Sequence, residues 1–454
     1  MYVADSRGTP APAVTPEPQA VAPGIRPGRR AALAPTVLAL GTVSLITDVS
    51  SEMVTAVLPL YLVAGLGLTP LGFGLLDGLY NGVSALVRLT GGHLGDRLGR
   101  HKALAGIGYG LSALCKPLLL LAHTLPAIGA VLALDRTGKG LRTAPRDALI
   151  SLSAAPEDRG RAFGVHRAMD TAGALIGPIL AFLILRGAAE GYDAVFTVSA
   201  CVAALGVLVL VLFVPGRRTA PTATGAPVSL RASFGLLGRR DLRRISLCAL
   251  LLGLCTVSDA FVFLLLQHTT GIADRWFALL PLGTAAAFFL LALPLGRLAD
   301  RVGRWRVFLG GHLALLAAYG ILLVGGDQPA LPYVVLLLHG GFYAATDGVL
   351  MATAAGAVPE EHRGGGLALV QTGQALARFA ASIGFGAAWT FWGARPALAV
   401  AAATLAGAVA LCVRLRPEDG NEGGAQDGTE GGATPGARAE PEAAVADTAV
   451  RNIP

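Results

Sequence analysis

Ionisable side chains stand inside stretches of sequence that are otherwise apolar. The stretch at 125–152 carries Asp135, Arg136, Lys139, Arg142 and Arg146 among leucines, alanines and glycines. A charge that faces lipid is costly, so these groups must face each other or an aqueous cavity. At about 100° per residue, positions 135, 139, 142 and 146 share one face of a helix. This spacing predicts a polar stripe within a membrane, which is typical of substrate and proton pathways.

Two acids in the first apolar stretch are the strongest candidates for carrying a proton. Asp48 and Glu52 are four residues apart, and no basic residue stands beside them on the same predicted helix. A carboxylate without a partner is unfavourable away from water, which favours its protonated form. We therefore expect at least one of the two to exchange a proton. Asp135 and Asp170 are further candidates, whereas Asp147 beside Arg146 is equally well interpreted as a structural ion pair.

Other polar side chains in the apolar stretches are candidates for lining a substrate cavity. Only three lysines stand among the 36 basic residues, and a buried lysine can lose its proton where an arginine cannot. The second half of the chain carries fewer such groups, which predicts that the charge chemistry belongs to the first half. The cavity candidates are Asp77, Asn81, Arg88, Lys116, Lys139, Arg142, His166, Arg167, Asp259, Asp347, Gln371, Gln374 and Arg378.

The elements that position these residues are membrane spans. Of the 454 residues, 54% are hydrophobic and 14% charged, whereas soluble proteins are about 25% charged. Apolar stretches long enough to cross a bilayer recur with short breaks, and they predict an all-α integral membrane protein with twelve transmembrane helices in two pseudo-symmetric six-helix bundles. The predicted spans are 35–64, 70–94, 103–122, 125–152, 163–185, 194–214, 245–267, 275–298, 307–325, 330–356, 367–391 and 397–414.

The basic residues indicate how these spans are oriented. Basic residues outnumber acidic ones by 36 to 29, for a formal net charge of +7, but they stand between spans, which argues against nucleic-acid binding. Loops on the side opposite to the N-terminus hold only Arg186, Arg275 and Arg395, so we expect both termini in the cytoplasm and the protein in the plasma membrane. The predicted organisation is a disordered tail (1–33), a bundle (34–214), a cytoplasmic linker (215–244), a second bundle (245–415) and a disordered tail (416–454).

Two short segments recur at nearly the same distance in the chain. The sequence GHLGDRLGRHK at 92–102 returns as GRLADRVGRWR at 296–306, and PEDRG at 156–160 returns as PEEHRG at 359–364. Two repeats at one offset indicate that the halves are duplicated. They favour two similar bundles over a single continuous one.

The first repeated segment resembles the cytoplasmic motif GxLaDrxGrk of the major facilitator superfamily, and the resemblance covers about residues 35–414. It implies a twelve-helix secondary transporter that alternates access to a central cavity. In that family the motif acts as a latch that stabilises the outward-facing state. The resemblance carries this role to Gly92, Asp96, Arg97, Gly99, Arg100, Asp300, Arg301 and Arg304.

Two further segments resemble motifs of the drug:proton antiporter branch. Arg136-Thr-Gly-Lys-Gly140 is similar to the motif of the fourth helix, in which the arginine takes part in proton transfer, but Lys139 and Arg142 depart from it. The fifth span has the glycine and proline spacing of the antiporter motif, without its final glycine pair. Small residues and proline permit close packing and bending at a gate. The gate candidates are Gly164, Gly173, Gly177 and Pro178.

These observations favour proton-coupled efflux of a small organic molecule by a monomer. The main rival is a proton symporter that imports an anionic metabolite, and a membrane receptor or scaffold without transport is a third alternative. No motif for a cofactor, a metal or a nucleotide accompanies the spans, and the five cysteines lack the spacing of metal ligands. We therefore expect no enzymatic activity, no cofactor and no metal.

Overall fold

The computed structural model describes residues 34–98, 100–155, 158–188, 191–216, 235–326, 328–358 and 363–415. The side chains at 84–86, 88–98, 363–365 and 368 are not among those described. Both predicted tails and residues 217–234 of the predicted linker therefore lie outside the described residues. Every regular element in the described ranges is helical.

The first half of the chain forms six long helices. They are α1 (Pro35–Leu60, continued by a wider turn at Tyr61–Gly65), α2 (Pro70–Leu98), α3 (His101–Leu121), α4 (Leu125–Ser153), α5 (Arg159–Gly187) and α6 (Gly191–Phe213). Proline stands in the first turn of α1 and of α4, where its missing N–H leaves no hydrogen bond unmade. Each of these helices corresponds to one predicted span.

The second half forms the other six spans, one of them in two pieces. These are α7a (Arg240–Leu254) and α7b (Asp259–Thr270), α8 (Leu280–Val302, preceded by a turn at Asp274–Phe277), α9 (Arg304–Val324), α10 (Leu331–Gly356), α11 (Arg363–Trp392) and α12 (Ala394–Arg414). Nine of the helical segments in the described ranges are long and apolar enough to cross a membrane. The charged helix α4 is not one of them. The prediction of an all-α membrane fold is confirmed.

The break in the seventh span differs from the sequence prediction of a continuous helix. Residues 255–258 leave the helical path, and the backbone N–H of Val257 donates a hydrogen bond of 2.8 Å to the Tyr319 hydroxyl. A side-chain partner from α9 thus replaces a bond that the helix would have supplied. Such an exchange is tolerated within a membrane only where the freed backbone is buried or lines a cavity.

The two halves pack their helices in the same pattern. In the first half, α4 packs against α2 and α3, α3 against α6, and α1 against α5. In the second half, α10 packs against α8 and α9, α9 against α12, and α7a against α11. Each pairing in the second half repeats one in the first, six spans later along the chain. The packing is therefore that of two pseudo-symmetric bundles, as the repeated segments predict.

The bundles meet mainly along α2 and α11. We call the side of the molecule that carries residues 34 and 415 the terminal face, and the other side the distal face. The contact lies in the distal half of both helices, where a Cβ on Gly74 would come within 2.4 Å of the Ser382 carbonyl oxygen. Nearer the distal face, the Leu71 N–H donates to the Thr390 hydroxyl (2.8 Å). The glycines let the two helix backbones approach this closely.

Within the first bundle, α5 lies directly against α1 through two of the predicted gate glycines. A Cβ on Gly173 would come within 2.5 Å of the Leu45 carbonyl oxygen, and one on Gly177 within 2.8 Å of the Glu52 Cβ. A Cβ on Gly164, in contrast, would have no neighbouring atom within 4 Å. Close packing in the motif is therefore confined to the two glycines that face α1.

This difference predicts opposite effects for two substitutions on one helix. Gly173→Ala forces α5 away from the α1 backbone and should lower the free energy of unfolding by about 1–3 kcal/mol. Gly164→Ala, the matched control, should be neutral or stabilising by up to about 1 kcal/mol, because alanine is the better helix former. Thermal unfolding of the purified variants in detergent measures both. Equal stability of the two variants would contradict the packing described.

Candidate functional site

A cavity of about 420 Å³ lies between the two bundles. This volume is typical of sites for small molecules. Its walls are formed by α1, α2 and α4 from the first bundle and by the break in the seventh span, α7b, α8, α10 and α11 from the second. A site built at the junction of two repeats is accessible from opposite sides when the repeats move against each other.

Acidic side chains dominate the charge on the cavity wall. Glu52, Asp77, Asp259 and Asp347 line it, and Arg378 is the one basic residue among the described lining residues. Two of the four acids come from each bundle. The expectation that the charge chemistry belongs to the first half is therefore wrong for the cavity, because α7b and α10 contribute as many carboxylates as α1 and α2. A span with few charged residues can still direct those residues into the cavity.

The remaining wall of the cavity is aromatic and apolar. Phe73, Phe263, Phe277 and Phe288 face the cavity together with aliphatic side chains. Aromatic faces attract cations as well as apolar groups. The cavity thus combines acidic groups with surfaces suited to the apolar body of an organic molecule.

Asp77 connects the two bundles at the cavity wall. Its carboxylate accepts a hydrogen bond from the hydroxyl of Ser382, a fully buried residue on α11. Asn81, one turn further along α2, also lines the cavity and donates to the Asp77 backbone oxygen (2.9 Å). Ser382 is absent from the sequence candidates, although it stands four residues after Arg378 and therefore on the same face of α11.

The polar stripe predicted on α4 is present and is paired with acids on α1 and α5. Lys139 Nζ lies 3.8 Å from Glu52 Oε1, and Arg142 Nη2 lies 3.3 Å from Asp48 Oδ1. One turn further, Arg146 Nη1 lies 3.7 Å from Asp170 Oδ1. We call these three pairs the α4 ladder. Because Glu52 also lines the cavity, the ladder begins at the cavity wall.

The ladder changes the interpretation of Asp48 and Glu52. The sequence shows no base beside them on their own helix, yet α4 brings one to each across the bundle. The Lys139 and Glu52 side chains remain 35% and 29% exposed, whereas that of Arg142 is only 3% exposed. A pair in reach of water at the cavity can separate at lower cost than a buried one. Glu52 is therefore the ladder acid that is most open to exchange.

Glycines on both sides of Lys139 explain why the ladder can form. A Cβ on Gly138 would come within 2.7 Å of the Gly108 carbonyl oxygen on α3, and one on Gly140 within 2.6 Å of Val87 on α2. These small residues bring α4 close to both neighbours. The faces toward α3 and α2 are thereby occupied, and the Lys139 side chain is directed toward α1.

The terminal end of the ladder is surrounded by further polar groups. Arg146 Nη1 donates to the Ser44 hydroxyl (3.2 Å), which is also 3.0 Å from Nε2 of the buried His166. Arg146 is paired with Asp147 as well (3.0 Å), and Arg167 lies 3.8 Å from Asp170 Oδ2. The cavity candidates His166 and Arg167 therefore belong to this polar group and not to the described cavity lining.

Asp135 forms a separate buried cluster between α3 and α4. Its carboxylate accepts hydrogen bonds from Ser112 (2.6 Å), Lys116 (2.8 Å) and Arg136 (2.6 Å). Lys116, a cavity candidate, is thereby directed away from the described cavity lining. The Arg136 guanidinium also lies 3.8 Å from the centre of the Tyr80 ring, and Tyr80 faces the cavity. Arg136 is connected to the cavity through this aromatic side chain.

In the second bundle, Asp259 begins α7b immediately after the break in the span. Its Oδ1 accepts a hydrogen bond from the Tyr343 hydroxyl (2.5 Å) and lies 3.3 Å from Nε2 of His339. Tyr343 is not among the sequence candidates, although its position four residues before Asp347 places both on one face of α10. Gln371 and Gln374, on α11, are half-buried outside the described cavity lining, and Gln371 Nε2 is 3.5 Å from Met351 Sδ.

The latch residues are described only in part. The surroundings of Gly92, the side chains of Asp96 and Arg97, and the whole of Gly99 lie outside the described residues, as does the side chain of the cavity candidate Arg88. Arg100 is exposed immediately before α3, and Arg301 is exposed at the end of α8. Asp300 Oδ1 lies 3.7 Å from Arg304 Nη2, with side chains 70% and 51% exposed. The second copy of the motif thus forms a solvent-exposed ion pair across the junction of α8 and α9.

Two proteins from other organisms have amino-acid sequences similar to that of this chain. An uncharacterized MFS-type transporter of Methanocaldococcus jannaschii is 30% identical over 368 residues, which cover 79% of this chain and 89% of that protein. The multidrug resistance protein MdtH of Photorhabdus laumondii is 30% identical over 177 residues, which cover 38% of this chain and 42% of that protein.

Solved transporter structures share the fold. The crystal structure of the nucleoside transporter NupG superposes with a TM-score of 0.72 at 14% identity, and the match covers 84% of this chain and 98% of that one. A POT family transporter in complex with 5-aminolevulinic acid superposes with a TM-score of 0.67 at 14% identity, covering 84% and 96%. At this level of identity the likeness concerns the fold alone.

The family model of the Major Facilitator Superfamily matches the chain in two segments, residues 40–382 and 260–446. The two matches together extend over both bundles and therefore over the cavity between them. With this match, the chain belongs to the Major Facilitator Superfamily and is a secondary transporter.

Proposed function

We propose that this protein exports small organic cations from the cell in exchange for protons. The observation that carries the proposal is the charge on the cavity wall, where four carboxylates face a single guanidinium among the described lining residues. An excess of acids in a site of low dielectric constant favours cationic ligands and disfavours anions. The aromatic side chains beside the acids suit the apolar part of such a molecule.

The pairing of the basic residues in the first bundle also supports a cationic substrate. The rival function, import of an anionic metabolite, needs basic groups that can reach the cavity. Lys139, Arg142 and Arg146 each face an acid in the α4 ladder, and Lys116 and Arg136 both donate to Asp135. Pairing cancels much of their charge toward an anion. The same pairing cancels the charge of Glu52, so an anion site then depends on Arg378 against Asp77, Asp259 and Asp347.

We assign the proton coupling to Glu52 and Asp48. Glu52 belongs to both the cavity and the ladder, so a proton or a substrate at Glu52 competes with Lys139 for the same carboxylate. Protonation removes the charge that holds this pair and shifts the balance between two arrangements of α1 and α4. Asp48 and Asp170 extend the path toward the terminal face, and Arg136 acts on it through Tyr80.

Topology and direction complete the proposal. The described basic residues on the terminal face support a cytoplasmic location for that face, and we propose a monomer in the plasma membrane whose bundles, 34–214 and 245–415, rock about the cavity. The latch residues would hold one arrangement on the cytoplasmic side. The described basic residues on the terminal face are Arg100, Lys102, Arg159, Arg161, Arg239, Arg240, Arg243, Arg244, Arg297, Arg301, Arg304, Arg306 and Arg414.

The direction of transport in this proposal is export. It is supported by the glycines that pack α5 against α1 at Asp48 and Glu52, and by the partial match to a multidrug resistance protein.

The proton role predicts a separation of two transport modes. Glu52→Gln combined with Asp48→Asn should strongly lower the accumulation of organic cations driven by a pH gradient, because no carboxyl remains at either position to carry the proton. Counterflow, which needs no net proton movement, should persist. Both are measured in proteoliposomes with labelled tetraphenylphosphonium and ethidium. Asp193→Asn, an exposed acid at the start of α6, is the control and should keep both modes. Gradient-driven uptake in the double variant at the rate of the unmodified protein would contradict the assignment.

The substrate class is tested by the cavity acids. The attraction between a carboxylate and a cation about 6 Å away is roughly 3 kcal/mol at an effective dielectric constant of about 20, so Asp347→Asn should weaken the apparent affinity for tetraphenylphosphonium about 10- to 100-fold. Counterflow in inverted vesicles with a panel of organic cations and carboxylate anions makes the comparison. Arg378→Gln serves as the opposite-charge variant and should leave cation affinity equal or higher. If anions alone exchange, and Arg378→Gln abolishes their exchange, the symporter alternative replaces this proposal.

A further inference from the structure

A buried histidine in the second bundle makes contacts that the proposed coupling at Glu52 does not use. The His339 side chain is 1% exposed and lies between α7b and α8. Its Nδ1 is 3.3 Å from the Thr284 hydroxyl. Its Nε2 lies 3.3 Å from Asp259 Oδ1, within ion-pair range, yet makes no hydrogen bond with any described residue. A buried ring nitrogen in this position calls for an explanation.

The two contacts of the ring suit both charge states of histidine. A protonated imidazole donates from both nitrogens, whereas a neutral one donates from one and accepts at the other. The Thr284 hydroxyl can accept from Nδ1–H or donate to a bare Nδ1, since a hydroxyl does both. The Asp259 carboxylate faces Nε2 at ion-pair distance, so its charge stabilises the protonated ring. When Nε2 loses its proton, Nδ1–H can still donate to the Thr284 hydroxyl, so the neutral ring keeps this contact.

Asp259 connects this histidine to the substrate cavity. Its side chain is 48% exposed and lines the cavity, and the Tyr343 hydroxyl holds Oδ1 in place from the opposite side. A cation that reaches Asp259 from the cavity approaches the same carboxylate that faces the His339 ring. Two positive charges on one carboxylate repel each other, so binding of one disfavours the other.

The charged and titratable groups around the pair leave this competition intact. Tyr343 and Asp347 stand on α10 itself, Asp77 faces the pair from α2, and Arg378 faces it from α11. On α9, His312 is separated from His339 by the Phe342 ring. The ring centres of His312 and Phe342 are 5.2 Å apart. On α8, the residue that contacts the His339 ring is Thr284, which does not titrate. Asp259 is the one acid within ion-pair distance of the His339 ring among the described residues.

We infer that His339 and Asp259 form a second proton-binding site, in the C-terminal bundle, from which an organic cation displaces the proton by binding to Asp259. The proton leaves Nε2 of the imidazolium and passes to water in the cavity as the cation takes its place beside the carboxylate. The displacing ligand is the one that the proposed function assigns to the cavity, so this part of the inference rests on that function. The site itself is independent of Asp48 and Glu52.

Proton release on ligand binding tests the inference directly. Tetraphenylphosphonium carries no dissociable proton, so every proton released when it binds comes from the protein. Purified protein in weakly buffered detergent, with a pH-sensitive dye, gives the number of protons released per bound cation over about pH 5 to 8, the range in which histidine changes charge. His339→Gln should release about one proton fewer per cation than the unmodified protein at the acidic end of this range.

A second buried histidine provides the matched control. His312 is 4% exposed, its Nδ1 lies 2.9 Å from the Phe308 carbonyl oxygen, and it is not among the described residues that line the cavity. His312→Gln should release as many protons as the unmodified protein. If His339→Gln also releases the full number, the second site is overturned while the proposed exchange stands.

Two further measurements apply if His339→Gln does not fold or if tetraphenylphosphonium does not bind. Should His339→Gln fail to fold, Thr284→Val removes the acceptor of Nδ1–H and should shift the midpoint of proton release to lower pH. Should tetraphenylphosphonium fail to bind to the unmodified protein, the cation specificity of the proposed function fails. The ¹⁵N resonances of His339 in ligand-free protein then decide: a ring that titrates in the unmodified protein and shifts its midpoint in Asp259→Asn supports the site, and a ring that stays neutral throughout overturns it.

Discussion

The structure depends on one constraint, that a charge inside the membrane must have an opposite charge or water within reach. In the first bundle α4 meets this constraint for its neighbours. Its basic side chains face acids on α1 and α5, and its Asp135 is surrounded by donors from α3 and from α4 itself. Each pair needs two helices at a fixed separation. The pairs and the glycines of α4 and α5 therefore specify the same arrangement of helices.

This internal pairing bears on how the molecule can move. Breaking a buried ion pair leaves an uncompensated charge and costs several kcal/mol, so a motion that separated α4 from α1 throughout would be unfavourable. The described contacts between the bundles include glycine packing, aromatic contacts such as Phe73 with Phe261, and single hydrogen bonds such as the one from Ser382 to Asp77, but no ion pair among those described. Motion of one bundle against the other therefore disturbs the weaker contacts. This agrees with the alternating access that two repeated halves permit.

The spans, the duplication and the face of α4 were all predictable from the sequence, because hydropathy and helical periodicity depend on residues that are near each other in the chain. Asp77, Asn81, Asp259, Asp347 and Arg378 were likewise predicted for the cavity and line it. What could not be predicted concerns residues that are distant in the chain. The partner of Asp48 comes from a helix about ninety residues later, and that of Asp77 from the other bundle. The break before Asp259 follows from a tyrosine hydroxyl on α9, which no local pattern reveals.

The contrast between paired charges in the bundle and excess acid in the cavity also bears on the type of coupling. On the proposed function, protons and organic cations seek the same carboxylates, and each binds best when the other is absent. Two ligands that compete for one site are moved in opposite directions by a carrier that changes its accessibility, because the carrier returns with one only after releasing the other. A substrate anion would instead bind together with protons, since protonation would relieve its repulsion from the acids, and it would travel in the same direction. The sign of the charge in the cavity thus favours exchange over cotransport, independently of any motif on α4 or α5.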